Sequence, residues 1–531
     1  MKRLLSLTLA LLLLSSCVAF SAAADGTVMY DNGMTYGSGY PITKDVIELD
    51  VLVKVHASIA HQTDTKVIDY ILDKTNIKLN IKTYSDPNEL ALMYVDRSYP
   101  DFGMRLDSST TQINMAVDAG DLVELSDMLE QFCPTWMNFF SEYPTVKELQ
   151  RTSNGGIYTL PFCNFAAYDR NLRDQWFINK AWLDSVGMDV PTTLDEFTAC
   201  LRAFRDNAGN GVIPENCYPY HFVFENYKNS SYFDLFTAFG VVITDANYLA
   251  AEDGTVVYQA VNEDIKAPLK YLQSLYAEQL ISPEIFTATT TDVRAMSTAD
   301  QSLIGSCTHY LTPEKADGST DYVAMAPIDC GTGVGPYIRR QPYTANPVNA
   351  FYLFSNNQYP VATMRLIEFV IETPEQLMNV LYGMEGVYWE WGDDGLIHTL
   401  KGELEGGDGE EAMGFWNTFV GIRTDDTLFD YYYDSNALNP AKREYAYENL
   451  YKNYLYDVDY LFSGGTLDDD DTIIYNQVKT DLTEVRQRYF ARWIRGEGDI
   501  DAEWDQYISD CEDAGMDEFM ELSQKQYDMV H

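Results

Sequence analysis

Ile47, Leu49, Val51 and Val53 alternate with Glu48, Asp50 and Leu52, the two-residue period of a strand with one face turned inward. Val67, Ile68, Ile71 and Leu72 then recur at helical spacing, and Ile77, Leu79 and Ile81 alternate with Lys78, Asn80 and Lys82. Strand, helix and strand in this order predict a βαβ unit and a parallel sheet. Ligands of such sheets gather at the carboxyl ends of the strands. The polar joint from His56 to Gln62 is therefore expected at a cleft edge, with His56 a candidate contact against the alternative of a surface histidine. Farther on, Ile157-Tyr158-Thr159-Leu160 predicts a short strand that Pro161 ends by withdrawing a backbone donor. Ile178, Trp182 and Val186 mark one face of a helix over 179–186, stopped by Gly187. A second helix starts at Thr193, where Glu196 completes a capping box, and its stripe runs Leu194, Phe197, Leu201, Phe204. Another helix is predicted over 361–372.

Lys2 and Arg3 precede an apolar run from Leu4 to Leu14, the pattern of a secretory signal. Ala22-Ala23-Ala24 before Asp25 fits removal of residues 1–24, while Leu14-Ser15-Ser16-Cys17 fits a lipobox, with removal of 1–16 and a lipid on Cys17. Export follows from either reading: a lipid-anchored protein on the outer face of the cell membrane, or a periplasmic or secreted one. The net charge of −45 repels nucleic acid and anionic lipid, so a membrane is reached only through the anchor. Besides Cys17 the chain has seven cysteines, an odd number with no CxxC pair, which leaves room for one disulfide and gives no zinc motif. No H-E-x-x-H, G-x-S-x-G or P-loop occurs, so no catalytic residue, metal or cofactor is indicated. Asp206 to Gly211 has the Asp, Asn and Gly of a calcium loop, but Ala208 and Cys217 stand where two ligands belong, and it reads as a turn.

The order of words from Gly156 to Gly211 carries more. Gly156-Ile157-Tyr158-Thr159-Leu160-Pro161, then Asn179-Lys180-Ala181-Trp182-Leu183 through Gly187 to Pro191-Thr192-Thr193-Leu194-Asp195-Glu196-Phe197, resembles the family 1 extracellular solute-binding proteins of bacterial ABC importers. Tyr382-Gly383-Met384-Glu385-Gly386-Val387-Tyr388-Trp389 and the closing segments Phe490–Gly496, Ile500–Tyr507, Ala514–Glu518 and Gln524–Tyr527 are similar to the large-lipoprotein branch of that family. The resemblance implies an α/β, two-lobed periplasmic-binding-protein-like fold of type II with a hinge between lobes. Residues 25–45 would be a tether or strap, 46–160 with 345–385 lobe 1, and 161–344 with 386–531 lobe 2. It also implies a monomer that captures a solute by hinge closure and delivers it to ABC permease subunits.

Aromatic residues make up 14% of the chain, including 39 Tyr and 8 Trp, and aromatic faces suit the C–H faces of sugar rings. A mono- or oligosaccharide is the expected ligand. The alternatives are a secreted carbohydrate-active enzyme and a surface sensor or adhesion protein on the same fold. Candidate contacts are Asp101 after Pro100, Asn164 and Tyr168 after the first crossing, His309 and Tyr310 after a strand containing Ser306, and Glu385, Tyr388 and Trp389 at the Gly383 turn. Each has a structural alternative: a cap for Asp101, hinge packing for Asn164 and Tyr168, and core packing for Tyr388 and Trp389. Trp182 and Trp504 sit on helix stripes and are expected in the core. The tyrosine-rich stretch 431–462 has no assigned role.

Overall fold

The computed structural model describes residues 21–22, 28–54, 66–164, 171–331, 333–340, 348–400, 421–424, 443, 445–456 and 462–531. The chain divides into two units, Met1–Cys163 with Pro347–Tyr433, and Asn164–Asn346 with Asp434–His531.

In the first unit, Ile47–Lys54 pairs in parallel with Ile77–Tyr84 across the helix Lys66–Thr75, and with Phe102–Met104 on its other side. A late strand, Val348–Leu353, inserts antiparallel between Phe102–Met104 and Thr159–Asn164. Gly421–Arg423 completes the six-stranded sheet beyond Thr159–Asn164. Ile47, Leu49, Val51 and Val53 are buried on one face, as their spacing requires. On the other, Leu52 and Tyr84 pack with Leu90 and Met93 of the helix Pro87–Asp96 and Ile113 of the helix Thr110–Asp118.

Pro161 does not end its strand, which spans Thr159–Asn164. The register against Val348–Leu353 shifts between Asn349 and Phe351, and Pro161 faces Asn349 at that irregularity. A bulge is one of the few places in a sheet where a missing N–H costs no ladder bond.

The second unit holds a four-stranded sheet in the order Tyr322–Met325, Gln175–Asn179, Ile304–His309, Tyr218–Tyr220. Asn179 caps the helix Lys180–Val186 through the Trp182 amide, and Gly187 ends it at φ 70°. Thr193 and Glu196 form the capping box of Leu194–Asp206. The helices Asp469–Ile494, Ile500–Asp513 and Met516–Asp528 close the core, with Trp493 stacked on Trp504 at 5.7 Å. Trp182 and Trp504 are buried. Cys133, Cys163, Cys200, Cys217, Cys307 and Cys511 are free thiols.

Gly305 marks a tight spot in this core. A Cβ there would stand 2.6 Å from the Pro219 carbonyl oxygen, 2.7 Å from Phe204 and 3.0 Å from Trp182. Gly305→Ala is expected to lower stability by roughly 1–3 kcal/mol, the usual cost of overpacking. A urea midpoint equal to that of the native protein would show that strand Ile304–His309 shifts freely.

The boundary expected at residue 385 is corrected. The hairpin Trp389–Trp391 with Ile397–Thr399, and the strand Gly421–Arg423, belong to the first unit, which continues to Tyr433. The reason is pairing: Gly421–Arg423 finds its hydrogen-bond partner in Thr159–Asn164 of that sheet. Within the stretch 25–45, expected to be a tether or strap, the described residues are tied to a helix of the first unit. Asp31 accepts the Ala362 and Val361 amides at 2.9 and 3.3 Å, at the positive end of the buried helix Pro360–Ile371. Arg365 donates to the Tyr36 and Gly39 carbonyls, each at 2.6 Å.

Candidate functional site

Strands Ile47–Lys54, Ile77–Tyr84 and Phe102–Met104 run the same way, and Thr159–Asn164, antiparallel to the inserted strand, runs with them. Their carboxyl ends therefore share one edge of the first unit. The chain leaves the unit after Cys163 and returns at Pro347, next to the start of Val348–Leu353, at that same edge.

Lys54, Arg105 and Asp107 mark this edge. Lys54 Nζ lies 2.6 Å from Asp107 Oδ2, and the two side chains are 39% and 43% exposed. Such a pair adds little to stability, so its groups can exchange partners at small cost. Arg105 and Asp107 both hold positive φ, 45° and 54°. Non-glycine residues in that region store strain that the surroundings must over-determine, a condition common at ligand sites. Between them Leu106 is buried and anchors the turn, its carbonyl accepting the Tyr84 hydroxyl. Arg105 donates its amide to the Ala350 carbonyl at 2.7 Å. Burial lowers the affinity of its guanidinium for the proton, with Asp107 acting against the shift and Arg423 with it. Arg423 lies over the Phe162 ring at 4.6 Å. Thr159 Oγ1 meets Asn349 Oδ1 at 3.0 Å along the same pair of strands.

Asp101 is not part of this edge. It precedes Phe102–Met104, at the amino end of its strand, and its Oδ2 accepts the Asp50 amide at 2.7 Å. Burial raises its carboxyl pKa, partly offset by that bond. Its work is to tie two strands together, a correction to the cleft reading. Arg105 and Asp107 lie four and six positions farther on, and the carboxyl-end rule applied to Phe102–Met104 instead of to Pro100-Asp101 finds them as candidates.

At the Gly383 turn, Trp389 is fully buried and donates Nε1–H to the Gly383 carbonyl at 2.8 Å. Tyr388 is also buried, its ring where a Gly383 side chain would be. Both are corrected to packing residues of the turn, since a ring without an open face cannot stack on a sugar. Glu385 is exposed, its amide held by Asn379 Oδ1 at 2.8 Å and its carboxyl raised by desolvation.

The second unit offers its own edge. Tyr218–Tyr220 and Ile304–His309 are parallel, and Gln175, the first residue of its strand, pairs with His309. His309 and Tyr310 thus sit at a carboxyl end, beside the strand that follows the first crossing. The Leu311 amide donates to His309 Nδ1 at 3.1 Å, and burial lowers the imidazole pKa. Nδ1 also lies 2.9 Å from the Leu311 carbonyl, so the same nitrogen can donate there or accept from the Leu311 amide, according to the tautomer. Tyr310 lies under the Arg443 guanidinium at 3.7 Å. Ser306 points inward instead, accepting Trp176 Nε1–H at 3.0 Å and donating to the Phe177 carbonyl at 2.9 Å. Asn164 closes the strand Thr159–Asn164, while Tyr168, His56 and Cys17 lie outside the described residues.

The Asp206–Gly211 stretch is a self-satisfied turn. Asp206 accepts from Arg205 at 2.8 Å, and Asn210 Oδ1 accepts the Val212 and Ile213 amides at 2.9 and 2.8 Å. Among the described residues no group of His, Cys, Asp and Glu gathers with metal-binding geometry, and no helix is long and apolar enough to cross a membrane.

No protein-family model matches the chain. The fructooligosaccharide ABC transporter substrate-binding protein FusA of Streptococcus pneumoniae serotype 4 is 24% identical over 421 residues, 77% of this chain and 76% of its own. The structure of FusA in complex with kestose superposes with a TM-score of 0.74 at 19% identity, covering 91% of this chain and 99% of that one. An extracellular solute-binding protein from Bifidobacterium longum subsp. infantis gives 0.75 at 19% identity, over 96% and 100% of the two chains. At these identities the structural likeness establishes the periplasmic-binding-protein-like fold over nearly the whole length.

Proposed function

We infer that this chain, an extracellular solute-binding protein of the ABC-importer kind, captures an oligosaccharide and delivers it to the importer's permease. The observation that carries the reading is a fold shared over 91% of the chain with a protein solved in complex with kestose. The site chemistry agrees with it. Within the first unit Asp107 would accept sugar hydroxyls and Lys54 and Arg105 would donate to them; within the second, the His309 imidazole is a separate polar group at its own strand edge. Hydroxyl recognition needs such mixed donors and acceptors at fixed positions. Capture would proceed by population shift: a ligand favours the closed arrangement only as far as it binds that arrangement better. The protein acts outside the cell membrane, as its signal-like N-terminus implies.

A thermal-shift screen tests this, with kestose, mannose-type and milk-type oligosaccharides, alginate oligomers and peptides, each followed by chromatography of the sugar. A ligand at 100 times its Kd is expected to add about 2.7 kcal/mol of stability. An upward shift with the sugar recovered intact is the expected result. A shift accompanied by cleavage would make the protein an enzyme, and silence across all sugars would remove the carbohydrate reading.

A further inference from the structure

Sequence leaves the tyrosine-rich stretch without a role, and its described part, 445–456, has one within the second unit. The chain crosses between units after Cys163, Asn346 and Tyr433. The described segments next to those crossings, 171–176, 337–340 and 443 with 445–456, come together. Leu172, Ile338, Ala446 and Tyr451 form a small apolar centre, with Leu450 and Tyr454 packed around it. Across it, Arg173 donates its amide to the Arg339 carbonyl at 2.8 Å, and Ile338 its amide to the Tyr454 carbonyl at 3.1 Å. The Trp176 amide reaches the Tyr451 hydroxyl at 3.3 Å, and Asn171 Nδ2 the Tyr447 hydroxyl at 3.2 Å.

Arginines bridge what the backbone does not. Arg340 donates from Nη2 to Asn171 Oδ1 at 2.5 Å and from Nη1 to the Tyr456 carbonyl at 2.9 Å, joining the second segment to the first and third. Arg443 donates from Nη2 to the Leu172 carbonyl at 2.6 Å, and from Nη1 to the Tyr310 carbonyl. Its guanidinium covers one face of the Tyr310 ring. That face is therefore taken, and Tyr310 cannot use it to stack on a sugar.

We propose that Arg340 and Arg443 are positioning residues that make the three described segments of the second unit and its His309–Tyr310 corner one cooperative element. A planar guanidinium whose donors serve two segments cannot release one without leaving donors unmatched beside the other. Each segment, short and tied to the others by few backbone bonds, then opens only when its neighbours do. The bearing on capture rests on the function proposed above: a sugar that engages His309 or Tyr310 is felt at all three segments.

Hydrogen exchange of the full, ligand-free chain read by mass spectrometry tests the element directly. Arg340→Gln and Arg443→Gln are each expected to speed exchange at least tenfold in 171–176, 337–340 and 445–456 together, with the helix Ile500–Asp513 unchanged. Arg443→Lys keeps the charge but not the fork, and exchange stays raised. Leu482→Ala, an unrelated core truncation in the helix Asp469–Ile494, is the control and loosens that helix without releasing the three segments as a set. Faster exchange confined to the substituted segment, or native exchange in both glutamine variants, overturns the proposal. In a second arm, kestose or whichever sugar the screen identifies should bind the glutamine variants about tenfold more weakly than the native protein. Native affinity in both variants overturns the coupling to the ligand corner. A native protein that binds no sugar overturns the proposed function, and the exchange result still decides this one.

Discussion

Replacing Arg339 by methionine will cost about 3–5 kcal/mol of stability, the loss typical when one member of a buried ion pair is removed. Arg339 is 1% exposed. Its Nε donates to Asp234 Oδ1 at 2.7 Å, and its Nη2 to Asp174 Oδ2 and Asp234 Oδ2, both at 2.9 Å. Nη1 reaches the Tyr227 carbonyl at 2.7 Å, and the guanidinium lies over the Tyr227 ring at 5.0 Å. Without it, two carboxylates remain in the core with Arg173, 3.1 Å from Asp174, as the ion-pair partner left to them among the described residues. Burial already pushes the Asp234 carboxyl upward, against the pull of Arg339, so the variant's Asp234 should take up a proton well above the usual carboxylate range. Urea unfolding at neutral pH measures the loss. Adding Asp234→Asn to the methionine variant should recover a large part of it. A single variant within about 1 kcal/mol of native would mean that the cluster is solvated.

Between pH 6.5 and 4 the protein is expected to lose roughly 3 kcal/mol of stability through His221 alone. The side chain is fully buried, and neither ring nitrogen has a hydrogen-bond partner among the described residues. Tyr218 meets the ring edge-on at 5.5 Å. Burial lowers its pKa from 6.5 to about 4, with the Phe222 backbone and Asp292 of the helix Thr290–Ser297 acting weakly the other way. The folded pKa is thus below the unfolded one. In that window the unfolded chain binds a proton the folded chain refuses, so stability is full above pH 6.5 and declines as pH falls toward 4. His309, also depressed by burial, adds in the same sense. Thermal or urea midpoints taken from pH 7 to 4.5 should fall more steeply for the native protein than for His221→Phe. Parallel curves would sink the assignment, because the remaining slope would then belong to other groups.

What the sequence made legible follows from how local the signals were. The 47–53 alternation, the Asn179 and Thr193 caps and the Gly187 stop depend on a few adjacent residues, and each stands where the spacing puts it. Pro161 was misread because its tolerance depends on a bulge opposite Asn349, a partner 188 residues away in sequence. The unit boundary failed for a similar reason, since only pairing tells which sheet Gly421–Arg423 joins. At the site, His309 and Tyr310 fall at a carboxyl edge, whereas Asp101 was judged by its motif and not by its end of the strand. Lys54, Arg105 and Asp107 are ordinary charged residues in sequence, and only parallel registration brings them to one edge.

The strap has a mechanical side. Asp31 and Arg365 bind it crosswise to the helix Pro360–Ile371, and the Tyr30 hydroxyl takes a further bond from Gln131 at 2.7 Å. Tension drawn on the chain ahead of Val28 is therefore carried by these side-chain fastenings before it reaches any strand of the six-stranded sheet. These fastenings join the segment to helices and not to the strands that carry Lys54, Arg105 and Asp107.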